Sequence, residues 1–224
     1  MNPALFKPCT VGIVRVITQD QERTDAHGRL VERAFSQVRT ISRCIPDQPE
    51  GVHDADTLRG AEPKVVALAR QLVELGADGI IVSCADDPGV AETRAVLDVP
   101  VVGAGESMAA AAARYEGRVG VIGITPEAPP AFRRMLGARL LANLVPDGVR
   151  DTRDLNTLAG QRAAIATARR LRSEGASVIA LACTGFSTIE LAPMLEGAAG
   201  IPVLDPVMCE TLALLRALRK QDGE

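Results

Sequence analysis

Aromatic side chains are almost absent: the 224-residue chain has no tryptophan and one tyrosine, and aromatics make up 2% of it. Ala, Val, Leu and Ile must therefore fill the core, and no nucleic-acid partner that stacks bases on aromatic rings is expected. An excess of one charge is lacking too. The net charge of −3 offers no basic face to a phosphate backbone. The five cysteines (Cys9, Cys44, Cys84, Cys183, Cys209) are odd in number and widely spaced, and no C-x-x-C pair occurs. That speaks against a disulfide framework or a structural zinc site. There is no His cluster for a metal and no Walker-type phosphate loop, and Gly103-Ala104-Gly105-Glu106 is not followed by the remaining glycine of a dinucleotide fingerprint. Neither metal nor cofactor is expected. No apolar run reaches about 18 residues, and the opening Met-Asn-Pro-Ala-Leu-Phe-Lys-Pro lacks the charged and apolar regions of a signal peptide. The expected setting is a reducing cytoplasm, with no membrane partner.

What is present is the composition of a globular protein, 47% hydrophobic and 24% charged. Short apolar β-branched runs at 11–17, 38–42, 79–83, 99–103, 119–124, 177–182 and 201–204 alternate with stretches of helical period. Those helix candidates lie near 25–36, 62–75, 88–97, 105–115, 127–137, 158–174, 186–196 and 206–220. Nearly continuous apolar strands separated by helices predict an α/β fold with parallel sheets covered on both faces.

The pattern repeats. GADGIIVSC (76–84) and GASVIALAC (175–183) share Gly, Ala, Ile and Cys, and Val66, Ala69, Arg70 and Leu72 match Ile165, Ala168, Arg169 and Leu171 at the same spacing of 99 residues. A proline-bearing strand follows each cysteine (Val99-Pro100-Val101-Val102; Ile201-Pro202-Val203-Leu204). A strand that opens Val-Gly and runs to a threonine, Thr18 or Thr125, precedes each. The chain therefore reads as two similar Rossmann-like lobes related by pseudo-twofold symmetry. The first is residues 1–105 plus a helix at about 206–224; the second is 106–205.

Cys84 and Cys183 each close a buried strand ahead of a helix, at the carboxyl edge where open parallel sheets bind ligands. A helix start and its N–H groups lower a thiol from about 8.5 toward neutrality. Cysteine is also a small hydrophobe often buried in strands, but two at equivalent repeat positions point to function. Pseudo-twofold lobes would set the thiols on opposite walls of one cleft, where a thiolate removes a proton from a stereocentre and a thiol returns one to the other face. The carbanion, delocalised as an enolate, needs fixed donors.

Candidates for contacting the substrate are Ser83, Ala85 and Asp86 beside Cys84, Thr184 and Gly185 beside Cys183, and the loop residues Thr18 and Thr125. Asp87 before Pro88 reads as a helix cap followed by proline at the first helical position. Cys9, Cys44 and Cys209 read as non-catalytic, His27 as part of a polar helix, and His53 as a surface loop residue. A small-molecule substrate and an even-numbered homo-oligomer are expected.

At Ser83-Cys84-Ala85-Asp86-Asp87-Pro88-Gly89, 99–106, Ala182-Cys183-Thr184-Gly185 and 201–207 the chain resembles the aspartate/glutamate/hydantoin racemase superfamily, and within it the hydantoin racemases. The resemblance spans roughly 11–210. It implies two Rossmann-like lobes with the active site between them, no cofactor, and Cys84 and Cys183 as the two bases. Aspartate and glutamate racemases of this superfamily follow their cysteines with Asn-Thr and Thr-Glu; here Ala85-Asp86 and Thr184-Gly185 stand there. Where hydantoin racemases carry an Asn-Pro-Asn-Thr-like segment, this chain has Val16-Ile17-Thr18-Gln19-Asp20. The expected activity is racemisation of 5-monosubstituted hydantoins or a related cyclic ureide. The alternatives are an amino-acid racemase or maleate isomerase of the same fold, a small-molecule sensor, and a Cys84–Cys183 redox switch.

Overall fold

The computed structural model describes residues 7–221. Residues 1–6, part of the run read for a leader, and 222–224, the end of the helix assigned to the first lobe, lie outside the described residues. The strands are β1 (Cys9–Arg15), β2 (Val38–Cys44), β3 (Gly79–Ser83), β4 (Val101–Gly103), β5 (Arg118–Ile122), β6 (Leu140–Leu144), β7 (Ala176–Leu181) and β8 (Val203–Leu204). The helices are α1 (Gln21–Thr24), α2 (Ala26–Ala34), α3 (Ala55–Glu74), α4 (Val90–Arg94), α5 (Ala104–Ala112), α6 (Pro130–Leu136), α7 (Leu158–Ser173), α8 (Gly185–Thr188), α9 (Ala192–Ala199) and α10 (Pro206–Gln221). They form two compact units, residues 7–103 with 210–221, and residues 104–209.

Each unit holds one four-stranded parallel sheet, ordered β2-β1-β3-β4 in the first and β6-β5-β7-β8 in the second. The strand order is the same once the second set is counted from β5, so the sequence repeat is a repeat of topology. The Val-Gly openings have a packing cause. A Cβ on Gly12 would lie 3.1 Å from Leu72 Cβ of α3, and one on Gly120 3.1 Å from Leu171 Cβ of α7. In both units a strand glycine lets the covering helix seat a leucine against the sheet. Leu72 and Leu171 are the same repeat position and both are fully buried.

Around these contacts each unit builds an aliphatic core. Val14, Val65, Leu72, Ile80 and Val82 pack in the first, and Ile122, Leu171, Ile179, Leu181 and Phe186 in the second. Burying each such side chain stabilises by about 1.5–3 kcal/mol. The other face of the first sheet is covered by α2 and α10. Gly28 of α2 sits where a Cβ would meet Thr40 Oγ1, and Leu214 of α10 lies against Gly79.

Several expected elements differ in the structure. β6 is an addition to the strands expected; its sequence Leu-Leu-Ala-Asn-Leu carries no β-branched residue, and all five positions are only half-buried, as suits an edge strand. The helix expected from residue 62 begins at Ala55, because Asp54 and Thr57 form a reciprocal capping box and Pro63 is tolerated inside. The single helix expected over 186–196 is two, α8 and α9. Glu190 between them adopts a left-handed φ of 50° and Pro193 lies in the first turn of α9. Asp87 does not cap a helix. It takes φ 53°, Gly89 at φ 66° occupies the N-cap, and α4 starts at Val90. The Asp87 carboxylate lies instead against Gly103, where any Cβ would overlap Oδ1.

Candidate active site

In the first unit, register pairs Arg15 of β1 with Ser83 of β3 and with Cys44 of β2, so these three end their strands at one level. Cys84 is the next residue, half-buried at the carboxyl edge and packed beside the α3 core. Its backbone turns at once: Cys84 N–H donates to Val82 O at 2.9 Å and Cys84 O accepts from Asp87 N–H at 3.1 Å. Ala85 is buried, and Asp86 is half-buried in this turn. Because α4 begins only at Val90, no helix start abuts Cys84, which corrects the expectation from the sequence. Thr18 lies on the same edge in the loop after β1. Its hydroxyl donates to Ile45 O at 2.7 Å and accepts from Gln48 N–H at 2.8 Å, tying the loops after β1 and β2 together.

Ser83 and His27 depart furthest from a surface role. The Ser83 hydroxyl lies 2.9 Å from His27 Nδ1 and donates to Glu210 Oε1 at 2.8 Å. Exposure is 3% for Ser83 and 0% for both His27 and Glu210. The sequence context of His27 suggests a polar helix; the residue is buried because Gly28 beside it allows that face of α2 to close on the sheet. Arg15, also buried, donates from Nη1 to Arg23 O at 2.9 Å and Thr24 O at 3.2 Å, anchoring α1 to the same row of strand ends. His53 is half-buried in the loop before α3, with Nε2 3.7 Å from Asp54 Oδ2.

In the second unit, Ile122 pairs with Leu181, so the loops bearing Thr125 and Cys183 leave the same carboxyl edge. Cys183 is 8% exposed. Its Sγ lies 3.6 Å from Thr152 Oγ1, and a Cβ on Gly185 would sit 3.3 Å from that sulfur while overlapping Thr152 Cγ2. Only glycine fits there without displacing the threonine. Thr184 is half-buried at the N-cap of the one-turn α8 and makes no side-chain cap. The Thr125 hydroxyl donates to Glu127 O at 3.0 Å, and Asn143 Nδ2 on β6 holds the Thr125 carbonyl at 2.9 Å.

Thr152 and Asn143 carry no signal in the sequence, because each acts through a partner far along the chain. The loop that presents Thr152 is fixed electrostatically. A side-chain hydrogen bond from Arg153 holds the Asp151 carboxyl below the usual carboxylate range, and the Arg150 backbone N–H does the same for Asp154. Cys9, Cys44, Cys84, Cys183 and Cys209 are all outside any disulfide. Cys9 opens β1, and burial pushes its thiol above the ordinary value. Cys44 ends β2 with Sγ 3.0 Å from Thr24 Oγ1, and Cys209 lies in α10. Among the described residues no group of three or more His, Cys, Asp or Glu side chains is placed to hold a metal ion, and no helix is long and apolar enough to cross a membrane.

Asp205 follows β8 and begins the next turn, accepting from Met208 N–H at 3.1 Å. Burial pushes its carboxyl above the ordinary range. An acid harder to ionise in the native chain keeps its proton there, so stability is fullest below the unfolded pKa and falls as pH rises through the folded one. Asn accepts the same N–H at a cap but carries no charge. Asp205→Asn is therefore expected to flatten the fall in Tm that sets in above about pH 4, followed by circular dichroism. An unchanged slope would show that Asp205 is not its source.

Two parallel sheets of one topology, each with a cysteine just beyond the end of its third strand, define a duplicated α/β fold. The model of the Asp/Glu/Hydantoin racemase family matches residues 21–213, and the chain belongs to that family. It is 30% identical over 154 residues to a hydantoin racemase of Pseudomonas sp. (strain NS671), covering 65% of this chain and 60% of that protein. It is 29% identical over 176 residues to a hydantoin racemase of Rhizobium meliloti, covering 72% of this chain and 68% of that one. Among solved structures, the allantoin racemase from Klebsiella pneumoniae superposes with a TM-score of 0.80 at 21% identity, over 96% of this chain and 89% of that one, which shows a shared fold.

Proposed function

We propose that this protein racemises 5-monosubstituted hydantoins or a related cyclic ureide, with Cys84 and Cys183 as the two acid–base groups. The observation that carries the reading is the duplicated placement: in each sheet a thiol lies just beyond the carboxyl end of the third strand, Cys84 one residue past β3 and Cys183 two past β7. Family membership supports it, as do relatives named hydantoin racemases and a structural neighbour named an allantoin racemase.

In the proposed step one cysteine, as thiolate, takes the proton from the ring carbon between the carbonyl and the ring nitrogen. The C–H electron pair moves into the carbonyl as an enolate, and the second thiol returns its proton to the opposite face. One thiolate and one thiol remain, with roles exchanged, so the next substrate of opposite hand finds the matching state. The polar rim then has distinct tasks. Thr184 is the proposed donor to a ring carbonyl oxygen, where developing charge needs one; Asp86 and the oxygen of Thr125, whose own proton goes to Glu127 O, are the proposed acceptors for ring N–H groups. Ala85 and Gly185 are small enough to let a planar ring approach the sulfurs.

Incubating the protein in D2O with one enantiomer of a 5-substituted hydantoin, and in parallel with allantoin, aspartate and glutamate, tests the reading. Polarimetry and proton NMR should show loss of rotation together with deuterium at the stereocentre for a ureide. Exchange of aspartate or glutamate alone would transfer the protein to the amino-acid branch. Exchange of none would overturn the assignment.

A further inference from the structure

Ser83 stands immediately before Cys84, yet its side chain is turned into the protein. Side chains alternate along a strand, so Ser83 points to the face covered by α2 and α10, opposite the α3 core against which Cys84 packs. There it joins a helix on each side, His27 from α2 and Glu210 from α10. A hydroxyl has one proton, and Ser83 gives it to Glu210; the 2.9 Å approach of His27 Nδ1 is therefore a donation from the ring to the serine oxygen. The relay runs one way, His27 to Ser83 to Glu210, with the donating ring proton at Nδ1.

The second unit shows that the fold itself does not require this arrangement. The residue before Cys183 is Ala182, and the fifth residue of the helix after β8, Glu210, corresponds to the fifth residue of the helix after β4, Met108. Both are buried. Apolar side chains thus fill in one unit the repeat positions that in the other hold a serine and a glutamate. A buried polar relay is expensive to leave half-made and rigid when complete. Its presence in one copy only, directly behind one of the two cysteines, calls for a role specific to that cysteine. The segment bearing His27 is also tied to the sheet a second time, through Arg15 and the α1 carbonyls.

We infer that His27, Ser83 and Glu210 are positioning residues that lock the end of β3 and so hold the Cys84 thiol for proton transfer, while Cys183 is held by the separate Thr152–Gly185 contact. The inference rests on the proposed two-cysteine reaction. Positioning acts on the transition state more than on binding, so the relay should be felt in kcat rather than KM.

The decisive variant is Ser83→Ala with Glu210→Met, which copies the residues of the other unit. It should fold with native circular dichroism and lose about a hundredfold in kcat with little change in KM. His27→Asn keeps a donor at the position of Nδ1 and should retain most of the activity that His27→Leu loses; this pair decides the matter if the double variant does not fold. Iodoacetamide labelling, read by peptide mass mapping, supplies a measurement that needs no substrate. The rate at Cys84 relative to Cys183 in the same chain should shift by about tenfold in the double variant or in His27→Leu. Folded variants with wild-type kcat and an unchanged labelling ratio would overturn the inference. A wild-type protein inactive on every ureide would instead overturn the proposed function, and the labelling ratio would still decide whether the relay positions Cys84.

Discussion

Serine in place of either cysteine is expected to abolish racemisation, with kcat down by roughly 10²–10⁴-fold. Serine preserves the side-chain size but offers a hydroxyl far harder to deprotonate than a thiol, so it cannot exchange roles with the remaining cysteine. The two variants are expected to fail in different ways. With Cys84→Ser, only the thiol at Cys183 can lift a proton, so one enantiomer should take up deuterium with retention and the other should be inert. With Cys183→Ser the preference should reverse. The double variant should exchange neither. NMR of each enantiomer in D2O reads all three outcomes at once, and single variants that racemise at the wild-type rate would remove the sulfurs from the mechanism.

The second large effect concerns the scaffold that presents Cys183. Phe186 is three residues beyond it, fully buried in α8 and in the core of the second unit, and its carbonyl accepts from Leu191 N–H at 3.0 Å. Phe186→Ala removes a ring from a close-packed site and is expected to cost about 3–5 kcal/mol, a large share of the roughly 5–15 kcal/mol that holds a typical domain. Because the chain comprises two compact units, the loss should be local. In a urea titration followed by thiol labelling, Cys183 should become reactive at lower denaturant than Cys84, by a wider separation than in the wild type. A midpoint for Cys183 equal to the wild-type value would show that the pocket closes around the missing ring.

The strands with β-branched sequences are legible in the order of residues alone, because a strand buried on both faces leaves few choices but Val and Ile. The cysteine positions are legible for a related reason: duplication aligns them, and Val-Gly against a helical leucine is a packing solution used twice. Elements fixed by one backbone angle or by distant partners are hidden. Asp87-Pro88-Gly89 has the letters of a helix start, but two left-handed residues postpone the helix to Val90. His27 lies among polar neighbours in sequence and becomes buried only through Gly28, whose contact with Thr40 is made across the fold. Glu210 sits 127 positions from the serine it accepts from, and Thr152 is 31 from the sulfur it touches. Local patterns carry no trace of such pairings.

The division of the chain also bears on how it is made. Residues 104–209 are contiguous, so that unit has all its parts once residue 209 has been synthesised. The other unit is interrupted: its sheet strands come first, but Glu210 and Leu214 arrive only after the whole intervening segment. Until then, Ser83 has only His27 of its two partners, and the strand face at Gly79 waits for Leu214 in the nascent polypeptide. A chain released early, or clipped before residue 210, would leave the Cys84 half unfinished while the Cys183 half is already folded.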